Sequence, residues 1–226
     1  KSDLKTEAVS GAGSSMVGVA GALALNRIQN HQNQALIKDD ASLNVDGANV
    51  HLKAETDVNH VAKALPKKAG DGSAQLGIGA SVAVNNGTST TRAEMEDGAS
   101  LTGAKDLSLK DASETDWETL AESGAIAGEV SLNPMVALTF GDSQTIARVG
   151  TGEALNIAEG LVVDADHRNN RTETTAKGDM AGSEVGIGTS FAMVDMNDET
   201  TATTARSITA KGNATLKATS KTDTNT

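Results

Sequence analysis

Asp195, Asn197 and Asp198, in the stretch "DMNDE", bring three oxygen-bearing side chains together within four residues. A hard cation such as Ca²⁺ takes several oxygen ligands from one tight loop, so these three are the candidate metal ligands. The stretch resembles the start of an EF-hand loop, but the later glycine and glutamate are not in position. The calcium nonapeptide "GGxGxD" is absent as well. The other acidic groupings are Asp39 with Asp40, Glu96 with Asp97, and Asp164 with Asp166; they read as solvated turn acids. Ca²⁺ is therefore the one cofactor the residues suggest, and the default expectation is none.

Asp164, Asp166 and Arg168 come nearest to a polysaccharide-cleaving set, which needs facing carboxylates or a carboxylate with a base. Sugar clefts also stack aromatic rings, and this chain has one Trp, two Phe and no Tyr. Trp117 stands in a polar stretch, where it is either an exposed contact residue or a local plug. His31, His51, His60 and His167 form no "HExxH" and read as surface histidines. "GIGAS" from Gly77 lacks the lysine of a phosphate loop and runs on into strand pattern, not helix. No residue is assigned a catalytic role, and the chain is expected not to be an enzyme. The three N-x-T sequons, at Asn86, Asn170 and Asn213, are read as unmodified.

The elements that would position these residues recur along the chain. "GVAGALALN" from Gly18, "GIGASVAVN" from Gly77, "SLNPMVALT" from Ser131 and "GIGTSFAMV" from Gly186 start 59, 54 and 55 residues apart. Alanine holds one column throughout: Ala24, Ala83, Ala137 and Ala192. The large apolar columns are Val19, Ile78, Leu132 and Ile187; Leu23, Val82, Val136 and Phe191; and Leu25, Val84, Leu138 and Met193. Being the bulky members of the alternation, they are the expected structural core. A second element follows at Ala35, Ala93, Ala147 and Ala202, and a third at Asn49, Asp106, Gly160 and Asn213. A fourth, polar element is marked by Asp3, Asp57, Asp116, Asn170 and Asp223. The repeats are set at residues 3–56, 57–115, 116–169 and 170–222, with 223–226 opening the next. Flanking repeats of the same chain are thus the first expected partners.

Period-2 alternation, as at Leu107 and Leu109 against Ser108 and Lys110, predicts half-buried strands of about 4 to 8 residues. Turn signals stand at "VDG" from Val45, "NNG" from Asn85, "EDG" from Glu96 and "AKG" from Ala210. "HVAKALPKKAG" from His60 is read as a loop insertion. The expected fold is all-β, a parallel β-helix or β-solenoid of four repeats of about 54–59 residues, each filling two coils. Side-by-side hairpin modules are the alternative. In "GIGASVAV" one face is only Gly77, Gly79, Ser81 and Ala83. It must be covered either by the same chain or by another molecule, since a bare flat sheet would stick to others.

Composition agrees with a thin, layered core: aromatics are 1% of residues. The formal charge of −11 comes without a basic patch, which argues against nucleic-acid partners. No run of about 18 apolar residues suggests membrane insertion. With no cysteine, disulfides and thiolate metal sites are excluded. The chain opens on Lys1 and is expected to be a piece of a longer array.

The pattern "GxGASVAVN…TxA…GAxLxAxxxLxLxA", best seen from Gly77 to Leu109, resembles the repeat region of giant filamentous bacterial surface adhesins. These are filamentous-haemagglutinin-like and leukotoxin-like exoproteins. That resemblance implies an extended β-helical stalk or filament, secreted and held at the bacterial cell surface. Its role there would be attachment or cell–cell contact. From the repeats themselves a filament or extracellular matrix built by lateral self-association is expected, with a host or neighbouring-cell surface reached through other regions. It supplies no catalytic residues. A Ca²⁺- or glycan-binding module within a surface protein is the other function considered.

Overall fold

A computed structural model describes residues 2–11, 16–66, 75–127, 129–182 and 184–225. Among them the chain is all-β and contains no helix. The strands are β1 (Ser2–Ser10), β2 (Val17–Ile37), β3 (Ser42–Asn44), β4 (Val50–Pro66), β5 (Leu76–Met95), β6 (Ser100–Thr102) and β7 (Leu107–Ala127). They continue with β8 (Val130–Val149), β9 (Leu155–Ile157), β10 (Leu161–Gly182), β11 (Val185–Thr204), β12 (Ile208–Ala210) and β13 (Ala214–Asn225).

Each turn of the chain runs long strand, short strand, long strand. Successive turns stack in parallel. Sheet A has the order β1-β4-β7-β10-β13 and sheet B the order β11-β8-β5-β2. The short strands pair as β3-β6 and β9-β12 and form a third, narrow wall. This is a parallel β-solenoid. One turn takes a whole repeat, not half of one, because the long strands have about 20 residues each instead of 4 to 8. Two expected breaks are strand: "NNG" lies inside β5, and His60–Pro66 lies inside β4. The other three signals are turns, with Gly47 and Gly98 at φ of 83° and 73°, where glycine carries no Cβ penalty.

The repeat columns are lateral neighbours. Val19, Leu23, Ala24 and Leu25 pair with Ile78, Val82, Ala83 and Val84. Those pair with Leu132, Val136, Ala137 and Leu138, which pair with Ile187, Phe191, Ala192 and Met193. Pro134 in the interior strand β8 has no N–H to give. Pairing toward β5 lapses between Leu132 and Met135, while the Thr189–Pro134 pairing toward β11 is kept.

Which face points inward is the reverse of the expectation. Ala24, Ala83 and Ala137 are fully buried, whereas Leu23 is 67% and Phe191 54% exposed. Val19, Leu25 and Ile187 are exposed too. Ile78, Val82, Val84, Leu132, Val136, Leu138 and Met193 lie on the same outward face, half-buried by their lateral neighbours. None of these twelve is core.

The physical reason is the shape of the cross-section. The sheets converge at the end where β7 gives way to β8, as the inward side chains show. The space there is filled mainly by small side chains: Ala22, Ala24, Ala83 and Ala137 of sheet B meet Ala64 and Ala121 of sheet A, with Met135 the one large exception. At the other end the third wall holds the sheets apart. Leu107, Leu109, Leu161 and Val163 fill that wider space with Met95, Leu101, Val149, Leu155 and Ile157. The small face of "GIGASVAV" is therefore covered by its own chain.

Candidate functional site

Asp195, Asn197 and Asp198 do not converge. They are consecutive or near-consecutive residues of β11, and a strand sends alternate side chains to opposite faces. Asp195 and Asn197 point outward. Asp198 points inward, where it accepts from Thr222 Oγ1 at 2.8 Å and lies 3.3 Å from His167 Nε2. Among the described residues no group of three or more His, Cys, Asp or Glu side chains is placed to hold a metal ion.

Asp164, Asp166 and Arg168 share the outer face of β10. Arg168 Nη2 donates to Asp166 Oδ2 at 2.7 Å, so the pair neutralises itself on an open sheet. The other groupings also tie neighbouring turns together. Asp97 accepts from Arg148, from the Thr151 backbone N–H at 2.7 Å and from Thr151 Oγ1 at 2.9 Å. These donors hold its carboxyl down at about 2. Buried Glu94 is flanked by Arg92 and by Arg148, the latter at 3.0 Å.

Trp117 is not a surface contact. It is 1% exposed and stacks on His60, with ring centroids 3.9 Å apart and planes 11° from parallel. The two are lateral neighbours: His60 pairs with Trp117 and Trp117 with Thr172. The markers Asp57, Asp116 and Asn170 set Val58 and Arg171 in the column of Trp117. The true partners lie two residues further on in β4 and one further on past the bulge between Asn169 and Arg171. Gly87 and Gly141, facing from sheet B, make the room. A Cβ on Gly87 would stand 2.7 Å from Trp117 Cη2, and one on Gly141 would stand 3.2 Å from Trp117 Cζ2. Burial lowers the His60 imidazole to about 4, so it is neutral at pH 7. His167 is likewise interior, against the expectation of surface histidines.

The middle of the core is polar, which the alternation of apolar residues could not announce. Asn26 Nδ2 donates to Asn85 Oδ1 at 3.1 Å, and Asn85 Nδ2 donates to the His60 carbonyl at 2.9 Å. Thr119, Thr139 and Thr174 join Oγ1 to Oγ1 at 2.6 Å each. Asp111, also inward, accepts from the Ile146 N–H at 2.7 Å. Burial raises its carboxyl to about 7, opposed by the Ile146 and Ala112 amides. Such ladders satisfy polar groups that burial would otherwise penalise.

The two outer faces contrast. Sheet A presents charge, with ion pairs such as Lys53–Glu55, Lys63–Glu118 and Lys177–Glu122. The half of sheet B near the converging end presents Val17, Leu76, Val130 and Val185 together with the large columns named above. Between those columns runs Gly21, Ala80, Pro134 and Thr189. Thr189 is the single polar side chain among these outward positions. This apolar half of sheet B is the candidate surface.

Fold and surfaces together define the chain as a parallel β-solenoid. No family model, curated protein or solved structure matches it.

Proposed function

We propose that this chain is a structural segment of a secreted bacterial surface adhesin, a filament or stalk element serving attachment, cell–cell contact or matrix building. The observation that supports this reading most is the lateral register, which resumes after each local bulge. In sheet B the same columns run through every turn, as Ala24, Ala83, Ala137 and Ala192 do. A fold of this kind lengthens by adding turns, and its surfaces repeat along its axis. The repeat pattern's resemblance to filamentous exoproteins points the same way.

The proportions favour lateral contact over reach. Twenty residues of strand span about 65 Å, whereas one added turn lengthens the solenoid by only about 4.8 Å. A coil of more than 50 residues is costly in chain length as a means of projecting a tip. It is well suited to presenting broad faces.

The test is surface labelling with function. Antibodies raised against the chain should stain intact, unpermeabilised cells that make it, and should block their attachment or aggregation. Staining only after permeabilisation would contradict the reading. A melting temperature unchanged by EDTA and by added Ca²⁺ is expected; an EDTA-sensitive one would favour the metal-binding module.

A further inference from the structure

We propose that the apolar outer face of sheet B is a self-association surface, on which a second copy of this chain docks face to face. The proposal deepens the filament reading and rests on it only for its biological setting, because its evidence is the geometry of one sheet.

The face is a set of ridges and one groove. The ridges are the columns through Val19, through Leu23 and through Leu25, running along the solenoid axis. The groove is the column of Gly21, Ala80, Pro134 and Thr189, set between the first two ridges. A Cβ added at Gly21 would meet only the Ala80 carbonyl oxygen, at 3.7 Å, so the groove is open there and grows shallower toward Pro134 and Thr189. Ridge spacing along the axis is fixed by the strand spacing, about 4.8 Å. A partner that meshes along the whole face must carry the same spacing. A second copy does, and its ridge can enter this groove while its groove receives this ridge. Stacked β-sheets pack in this way when their facing side chains interdigitate.

Charge and area support the same occupant. The chain carries −11 overall, yet none of the outward positions in this patch is charged. Two copies can therefore meet here with their carboxylates kept at the rim. For an acidic chain the same charge opposes docking on an anionic lipid surface. Nine residues by four strands give a footprint of roughly 500 Å². Two such faces bury about 1,000 Å², the lower limit for a specific interface. The four turns here should thus give a weak dimer, and each further turn would add roughly 130 Å² per face.

Sedimentation equilibrium of the purified chain tests this. A reversible dimer is expected, with Kd on the order of tens of micromolar. Val82→Lys with Val136→Lys should be monomeric across that range while keeping the parental circular dichroism. Ala80→Leu, which fills the groove without adding charge, should weaken association at least tenfold. Lys53→Ala on sheet A should change nothing. Because the chain has no cysteine, Val82→Cys gives a second readout: its thiol should become protected from a disulfide reagent as protein concentration rises through the dimer range. A parental chain that stays monomeric at high concentration would overturn the proposal. So would a dimer unaffected by the folded lysine variant, or a monomer that instead co-sediments with phosphatidylcholine vesicles. Surface labelling of cells is independent of all these outcomes, so the failure of either idea can be told apart.

Discussion

Trp117 and Gly87 fit closely against one another in the polar middle of the core. The glycine's missing Cβ is what leaves room for the indole. Gly87→Ala should destabilise by about 1–3 kcal/mol through overpacking. The same change beside Trp117→Leu should cost clearly less than the sum of the two single variants, since the clash is then gone. Urea unfolding of the three variants measures this, and strict additivity would contradict it. Asp111 supplies a pH test. Its folded value is about 7 against 3.8 for an ordinary aspartate, so between those values the folded chain keeps a proton that the unfolded chain has lost. Asp111 therefore makes stability fall as pH rises from about 4 to about 7. His60 acts in the opposite sense: lowered to about 4 from 6.5, it makes stability fall as pH drops through that range. The two offset one another up to about pH 6.5. Asp111→Asn removes one of them, so its stability relative to the parent should grow with pH by up to roughly 1.4 kcal/mol per unit across the window. A pH-independent difference would contradict this. Neither residue was legible as an interior group in the sequence. A two-residue misalignment in the polar element separated His60 from Trp117, and a charged residue amid strand alternation ordinarily reads as outward.

At the scale of elements, the turns between β5 and β6, β8 and β9, and β11 and β12 are stapled by Arg206. Its guanidinium donates to the carbonyls of Gly150, Ala99, Glu96 and Thr151, thereby joining three successive turns. A planar fork can reach several acceptors that an ammonium cannot. Arg206→Lys should lower the melting temperature by several degrees, equivalent to about 1–3 kcal/mol; an unchanged Tm would show the contacts to be incidental. Lateral register was readable from sequence because parallel stacking places equivalent residues side by side, so the repeat columns became strand partners. Sidedness was not. Alternation says that two faces differ but not which is inside, and the rule that bulky apolar residues go inside is one-way. Beside the short strands the rule holds, as Leu107 and Leu109 show. Where the sheets converge it reverses, because the space between two sheets depends on both of them and no single strand records it.

For the whole molecule, the four long strands of sheet B and the five of sheet A make stability a sum over turns and their interfaces. Deleting Val50 to Asp106 removes one turn and brings Leu107 to the place of Val50, its lateral partner. The shortened chain should keep its circular dichroism and unfold in one transition at lower denaturant; loss of structure would contradict the modular account. A repeat of about 54 residues suited one wide turn as well as two narrow ones. The choice was hidden because Thr, Ser and Asn, which pair inside the middle of the solenoid, look like loop residues when hydrophobicity alone marks a strand. The apolar outer face follows from the same inversion that buries the alanines, and that inversion is the centre of the account. Thiol accessibility measures it most directly. In a chain without cysteine, Leu23→Cys and Ala24→Cys each introduce one reporter on opposite faces of β2. At submicromolar protein, the thiol at 23 should react with a disulfide reagent at the rate of a free thiol, and the thiol at 24 should be protected until the chain unfolds. A protected thiol at 23 with a reactive one at 24 would contradict the account.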